Sequence, residues 1–184
     1  MALQHFSNYN QILIYLFTVR LSTFIGYDRR ALNIYIKPLL EVAEISISYL
    51  PIKSSKPKIT SALDAFVEII DFYPPELIGL QEQFLVMYLN RAKRVLGIYS
   101  LSKGGINATV ADVRLIMGVA LKTAANAIIL SHNHPSGSLS PSIADIEITK
   151  QIVAAGKLMQ IEVVDHLIVN AERKYFSFSD EGLM

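Results

Sequence analysis

The run Asn126-Ala127-Ile128-Ile129-Leu130 places four apolar residues in succession with no polar alternation. A strand with that pattern is buried on both faces, which asks for a central sheet covered by helices. The run leads directly into Ser131-His132-Asn133-His134-Pro135-Ser136-Gly137. Side chains alternate along a strand, so His132 and His134 project to the same side at the strand's exit, close enough to share one ion. After a short spacer, Ser142-Ile143-Ala144-Asp145 offers a carboxylate as a third ligand.

A chain of 184 residues with a formal net charge of +1 can form one substantial domain with an extra terminal segment. Acids and bases are intermixed, which leaves none of the basic footprint that phosphate neutralisation requires and argues against a nucleic-acid partner. Cysteine is absent. Disulfides, thiolate zinc sites and cysteine nucleophiles are therefore excluded together, and any metal falls to His, Asp and Glu. The stretch Ile12-Leu13-Ile14-Tyr15-Leu16-Phe17 resembles a secretory apolar segment, but no Lys or Arg precedes it and Arg20 interrupts it far short of membrane-spanning length. A cytoplasmic location without membrane association is the expectation.

Residues 1–50 are apolar and aromatic without a clean period and read as an accessory N-terminal segment of unknown role. Residues 51–58, rich in Pro, Ser and Lys, read as a solvated linker. Beyond them, Ala62, Ala65, Phe66, Ile69 and Ile70 recur at helical spacing after Thr60-Ser61, until Tyr73-Pro74-Pro75 stops the element. Gln83–Leu89 and Val95–Tyr99 read as an antiparallel hairpin whose tip, Asn90-Arg91-Ala92-Lys93-Arg94, is basic but solvated. Gly104-Gly105 precedes a helix, yet the Lys-Ser/Thr of a phosphate loop is missing. Thr109 and Asp112 mark that helix's start, and Val113, Met117, Ala120 and Ala124 its buried stripe. Ser140-Pro141 is expected to open the next helix, with Ile148, Ile152, Ala155 and Met159 inward. That stripe extends backward to Asp145 and Ser142. The segments Ile161–Val169 and Tyr175–Phe178 read as a closing hairpin.

Two imidazoles and one carboxylate suit a catalytic zinc, because three protein ligands leave a fourth tetrahedral position for water. Zinc lowers the pKa of such a water from about 16 toward ~7. A carboxylate must then take its proton, and Glu82, at the start of an apolar strand, is the candidate base. Ser142 could hydrogen-bond that water or steady an oxyanion; equally, Ser142-x-x-Asp145 before an apolar run is the pattern of a helix capping box. A bare His-x-His could also be two satisfied polar residues at a strand end. His166 competes as a ligand, with a supporting role behind the ligands the alternative.

The pattern His132-x-His134-x7-Ser142-x2-Asp145 with upstream Glu82 resembles the JAMM (JAB/MPN+) metalloprotease motif. The stretches Gly-Gly-Ile-Asn-Ala-Thr-Val-Ala-Asp-Val-Arg-Leu-Ile, Ile-Leu-Ser-His-Asn-His-Pro-Ser-Gly, Val-Asp-His-Leu-Ile-Val and Tyr-Phe-Ser-Phe-Ser-Asp-Glu-Gly-Leu-Met together resemble the RadC-like branch of that family. The likeness spans roughly residues 41–184, with the hydrolase domain itself placed at 59–184. It implies an α/β fold similar to cytidine deaminases, with a central mixed sheet flanked by helices. It also implies zinc on His132, His134 and Asp145, Glu82 as acid/base and Ser142 assisting at the oxyanion. Relatives with known activity hydrolyse amide or isopeptide bonds, often at the C-terminus of ubiquitin-like proteins, so the implied partner is a peptide or protein substrate. The branch carries an old DNA-repair label, which makes a nucleic-acid- or protein-binding scaffold the alternative function. The Gly-rich hairpin of a DNA-binding helix-hairpin-helix region is not found in residues 1–50, and Asn170-Ala171-Glu172-Arg173-Lys174 lacks the glycine often found at that tip.

Overall fold

A computed structural model describes residues 56–103 and 111–184. The N-terminal segment 1–50, residues 51–55 of the linker, Gly104-Gly105 and Thr109 lie outside the described residues. Among the described residues eight elements follow in chain order: α1 (Ala62–Ile70), β1 (Gln83–Leu89), β2 (Val95–Lys103), α2 (Val113–Lys122), β3 (Ala127–Asn133), α3 (Ile143–Met159), β4 (Glu162–Val169) and β5 (Tyr175–Ser177).

The strands form one five-stranded sheet in the order β2-β1-β3-β4-β5. Only β3 and β4 run parallel, joined across α3; the other neighbours are antiparallel, so the sheet is mixed. The apolar run at Ile128 is its middle strand, and every residue of β1 and β3 is buried. Alternation divides these strands between two cores. Leu85, Met87, Leu89 and Ile129 pack with Ala65, Phe66, Ile69 and Ile70 of α1. Phe84, Val86, Tyr88, Ile128 and Leu130 pack with Ile116, Met117 and Ala120 of α2 and Ile152 of α3. His132 follows Ile128 and Leu130 at period two and so belongs to the α2/α3 face.

Local chemistry sets the helix starts. Ser61 caps α1 and exchanges hydrogen bonds with Asp64. The next helix starts at Val113, with the Asp112 carboxylate accepting the Arg114 amide. It ends at Lys122, so Ala124 lies beyond it at φ 52°, exposed, and Ala125 takes the buried position expected of Ala124.

The start of α3 departs from expectation in a similar way. Ser142, not Ser140, is its N-cap, because Ser142 has an acidic partner three residues on and Ser140 has only Ile143. Its buried residues are Thr149, Ile152 and Gly156, with Ile148 and Ala155 partly covered. Met159, expected inward, is 45% exposed because the chain reverses at left-handed Gln160 immediately after it. Gly156 makes this packing possible: a Cβ there would stand 2.4 Å from the Ile161 carbonyl oxygen. Among the described residues no helix is long and apolar enough to cross a membrane.

Candidate metal centre

The site forms where β3 ends and α3 begins. Antiparallel pairing of β1 with β3 sets Phe84 against His132. Glu82 immediately precedes β1, and its carboxyl lies near enough to His132, His134 and Asp145 to interact with their charges. Asn133, between the histidines, points to the opposite face and is fully buried. Its amide oxygen accepts the Gln83 N–H at 2.7 Å, and its amide nitrogen donates to the Ile78 and Gln81 carbonyls at 2.7 and 2.9 Å. The middle letter of His-Asn-His thus pins the backbone on both sides of Glu82 to the strand that carries the histidines.

Three side chains converge. His132 Nε2 is 3.0 Å from His134 Nε2 and 3.3 Å from Asp145 Oδ1, and His134 Nε2 is 3.6 Å from Asp145 Oδ2. A tetrahedral ion with bonds of about 2.0–2.1 Å separates its ligand atoms by roughly 3.3–3.4 Å, so the spacing fits a metal. His134 Nδ1 lies 2.9 Å from the Ser138 carbonyl. A carbonyl only accepts, so Nδ1 carries a proton, and when the ring holds just that one proton a bare Nε2 faces the carboxylate; the hydrogen bond with Asp145 raises the His134 pKa against burial and so favours a second proton there. A nitrogen and a carboxylate oxygen facing one another at this distance are satisfied by a proton on the imidazole or by a metal ion shared between them.

Asp145 serves two structures at once. Its Oδ2 accepts the Ser142 amide and hydroxyl, both at 2.7 Å, while its own amide donates to Ser142 Oγ at 3.1 Å. That is the capping box. Oδ1 is left facing His132, and Oδ2 also lies 3.6 Å from His134 Nε2, so the cap leaves the carboxylate turned toward both rings. Burial alone would raise the Asp145 pKa, but His132 and His134, followed by Ser142, hold its carboxyl well below the usual carboxylate range. Burial pushes the half-buried Glu82 carboxyl up, against the pull of His132 and His134 and with a further push from Asp145. An acid beside the site with a raised pKa suits proton transfer.

His166 stands outside this cluster and engages both its nitrogens elsewhere. Among the described residues, the group able to hold a metal is His132, His134 and Asp145. His166, on β4 opposite Leu130, is fully buried and turns its two nitrogens to His132 Nδ1 at 2.8 Å and Thr149 Oγ1 at 2.6 Å. Burial lowers its pKa well below the ordinary histidine value, so the ring is neutral. It lies between Phe178, with ring centroids 4.7 Å apart, and Phe84, at 5.5 Å. Thr149 and Asn133 carry no local sequence pattern that marks them as site residues. Their signals were positional: Thr149 stands one helical turn after Asp145, and Asn133 faces away from the histidines.

A family model described as a RadC-like JAB domain matches residues 60–183. The chain belongs to the RadC-like JAB domain family. Among curated relatives, a UPF0758 protein of Flavobacterium johnsoniae is 46% identical over 129 residues, covering 68% of this chain and 53% of that protein. A UPF0758 protein of Porphyromonas gingivalis is 46% identical over 104 residues, covering 56% of this chain and 46% of that protein. A UPF0758 protein of Desulfitobacterium hafniense is 33% identical over 150 residues, covering 81% and 63%. The chain thus spans about half the length of the first two relatives. All four residues of the His-x-His, Ser and Asp pattern, and Glu82, fall inside the matched JAB domain.

Proposed function

We propose that the chain is a zinc-dependent hydrolase of peptide or isopeptide bonds. The observation that carries this reading is the convergence of His132 Nε2, His134 Nε2 and the Asp145 carboxylate beside the raised-pKa carboxyl of Glu82. His132, His134 and Asp145 would hold the ion, and two nitrogens with one carboxylate oxygen match a catalytic rather than a structural zinc set. Zinc bound there supplies a water acidified to near neutral pH and polarises the substrate carbonyl.

Glu82 receives the attacking water's proton on a carboxylate oxygen and delivers it to the departing amide nitrogen, which leaves as an amine. Its raised pKa favours the delivery step. Ser142 has a narrower part than its position alone suggests. Its hydroxyl proton goes to Asp145 Oδ2 and one lone pair takes the Asp145 amide, so one lone pair is left to accept a hydrogen bond from the water. Steadying an oxyanion would require the hydroxyl to turn away from Asp145. The substrate class is a peptide or protein, with ubiquitin-like tails among the candidates.

The basic hairpin tip does not favour the DNA-accessory alternative. Lys93 pairs with Glu162, and Arg94 donates to the Lys56 carbonyl at 2.8 Å, so two of its cations are engaged within the fold. A proteome-wide cleavage screen with zinc-loaded wild type and Glu82→Gln tests the proposal. New peptide termini that form with wild type and vanish with Glu82→Gln are expected. Identical termini from both proteins would remove Glu82, and with it this mechanism.

A further inference from the structure

A metal-binding histidine must present a bare nitrogen, and a neutral imidazole offers bare Nε2 only when its proton is on Nδ1. For His134 the Ser138 carbonyl fixes the proton directly. His132 Nδ1 instead faces His166 Nε2 at 2.8 Å, an atom able either to donate or to accept. The direction of that hydrogen bond decides whether His132 can be a ligand at all.

Thr149 supplies the direction. Its single hydroxyl proton goes to the Asp145 carbonyl, 2.5 Å away and one turn earlier in α3. Toward His166 Nδ1, at 2.6 Å, the threonine oxygen can then only accept. The His166 proton is therefore on Nδ1, its Nε2 is bare, and it accepts from His132 Nδ1. His132 Nε2 is left bare and points at Asp145 Oδ1, 3.3 Å away. The opposite order would put a proton on His132 Nε2, between the ring and the metal. Phe84 and Phe178 enclose the His166 ring, so it cannot rotate to reverse the sequence without displacing them.

We infer that Thr149 and His166 are positioning residues that fix the tautomer of His132. They carry the polarity of the Asp145 carbonyl through two side chains to the ligand nitrogen. Asp145 thus acts twice, through its carboxylate on the metal and through its main chain on the tautomer of a second ligand. Metal ligands usually donate their second nitrogen to a carboxylate, carbonyl or water. Here a neutral histidine does that work, with its own direction set by a threonine.

This inference rests on the metal-site reading, yet it can be decided separately. Nitrogen-15 NMR of the metal-free full chain at a pH where the rings are neutral reads each tautomer from the nitrogen shifts. The expected result is His132 and His166 both protonated at Nδ1 and bare at Nε2. A proton on His132 Nε2 overturns the relay. Zinc affinity gives a second readout: Thr149→Val should weaken binding about 10- to 100-fold. Thr149→Ser, which keeps the hydroxyl, should stay within about threefold of wild type. Equal affinity in Thr149→Val and wild type also overturns the relay. Wild type that binds no zinc contradicts the proposed function instead, and the metal-free spectrum then decides the relay alone, as it does if Thr149→Val fails to fold.

Discussion

Ser142 and Asp145 share one carboxylate oxygen: Asp145 Oδ2 accepts the Ser142 amide and hydroxyl, both at 2.7 Å, while Oδ1 stays free to face His132. The helix cap therefore orients the ligand. Ser142→Ala should cost about 1 kcal/mol of stability through the lost cap. It should weaken zinc binding far less than Asp145→Ala, because the Ser142 amide still holds Oδ2. Denaturant unfolding and zinc titration of both variants check this; a Ser142→Ala protein that loses zinc as fully as Asp145→Ala would contradict it.

Asn133 ties the Ile78–Gln83 segment to β3 through one accepted and two donated hydrogen bonds. Asn133→Asp keeps the shape but turns a carboxylate oxygen toward the Ile78 and Gln81 carbonyls. A loss of about 3 kcal/mol is expected. Urea unfolding measures it, and a loss under about 1 kcal/mol would show that the amide is not what holds Glu82 in place.

Asp165 gives a pH-dependent test away from the metal ligands. Its carboxylate is buried; Oδ1 accepts the His166 and Ser179 amides and Oδ2 the Ser177 hydroxyl. Burial raises its pKa, outweighing the hydrogen bonds from Ser177, Ser179 and His166. An acid with a higher pKa folded than unfolded carries no penalty while protonated in both states. The penalty grows as pH rises through the unfolded and then the folded value. Asp165→Asn never ionises, so its stability relative to wild type should rise between about pH 4 and pH 7. Unfolding curves at both ends of that range decide it. A relative stability that falls with pH would mean that the hydrogen bonds win.

Much of this architecture was open to reading because it depends on period and on short-range chemistry. The unbroken apolar run at Ile128 identified the central strand, and two-residue alternation put both histidines on one side of it. Asp145 could be placed near them because helical spacing ties it to Ile148 and Ile152. What escaped was decided across the fold. Ser140 and Ser142 are both good caps by residue type, and only the side chain three residues on separates them. Met159 fits the inward stripe until Gln160 turns the chain away. Thr149 and His166 are 17 residues apart, and their contact exists only because α3 crosses over between β3 and β4. No local pattern announces such a pair.

The central claim is that His132, His134 and Asp145 form a zinc site whose acid/base is separate from its ligands. Zinc content per chain, measured by elemental mass spectrometry after incubation with zinc and removal of the excess, tests it most directly. About one zinc per chain is expected in wild type and in Glu82→Gln, and near none in His132→Ala or Asp145→Ala. Wild type that stays metal-free, or His132→Ala that keeps a full zinc, would contradict it.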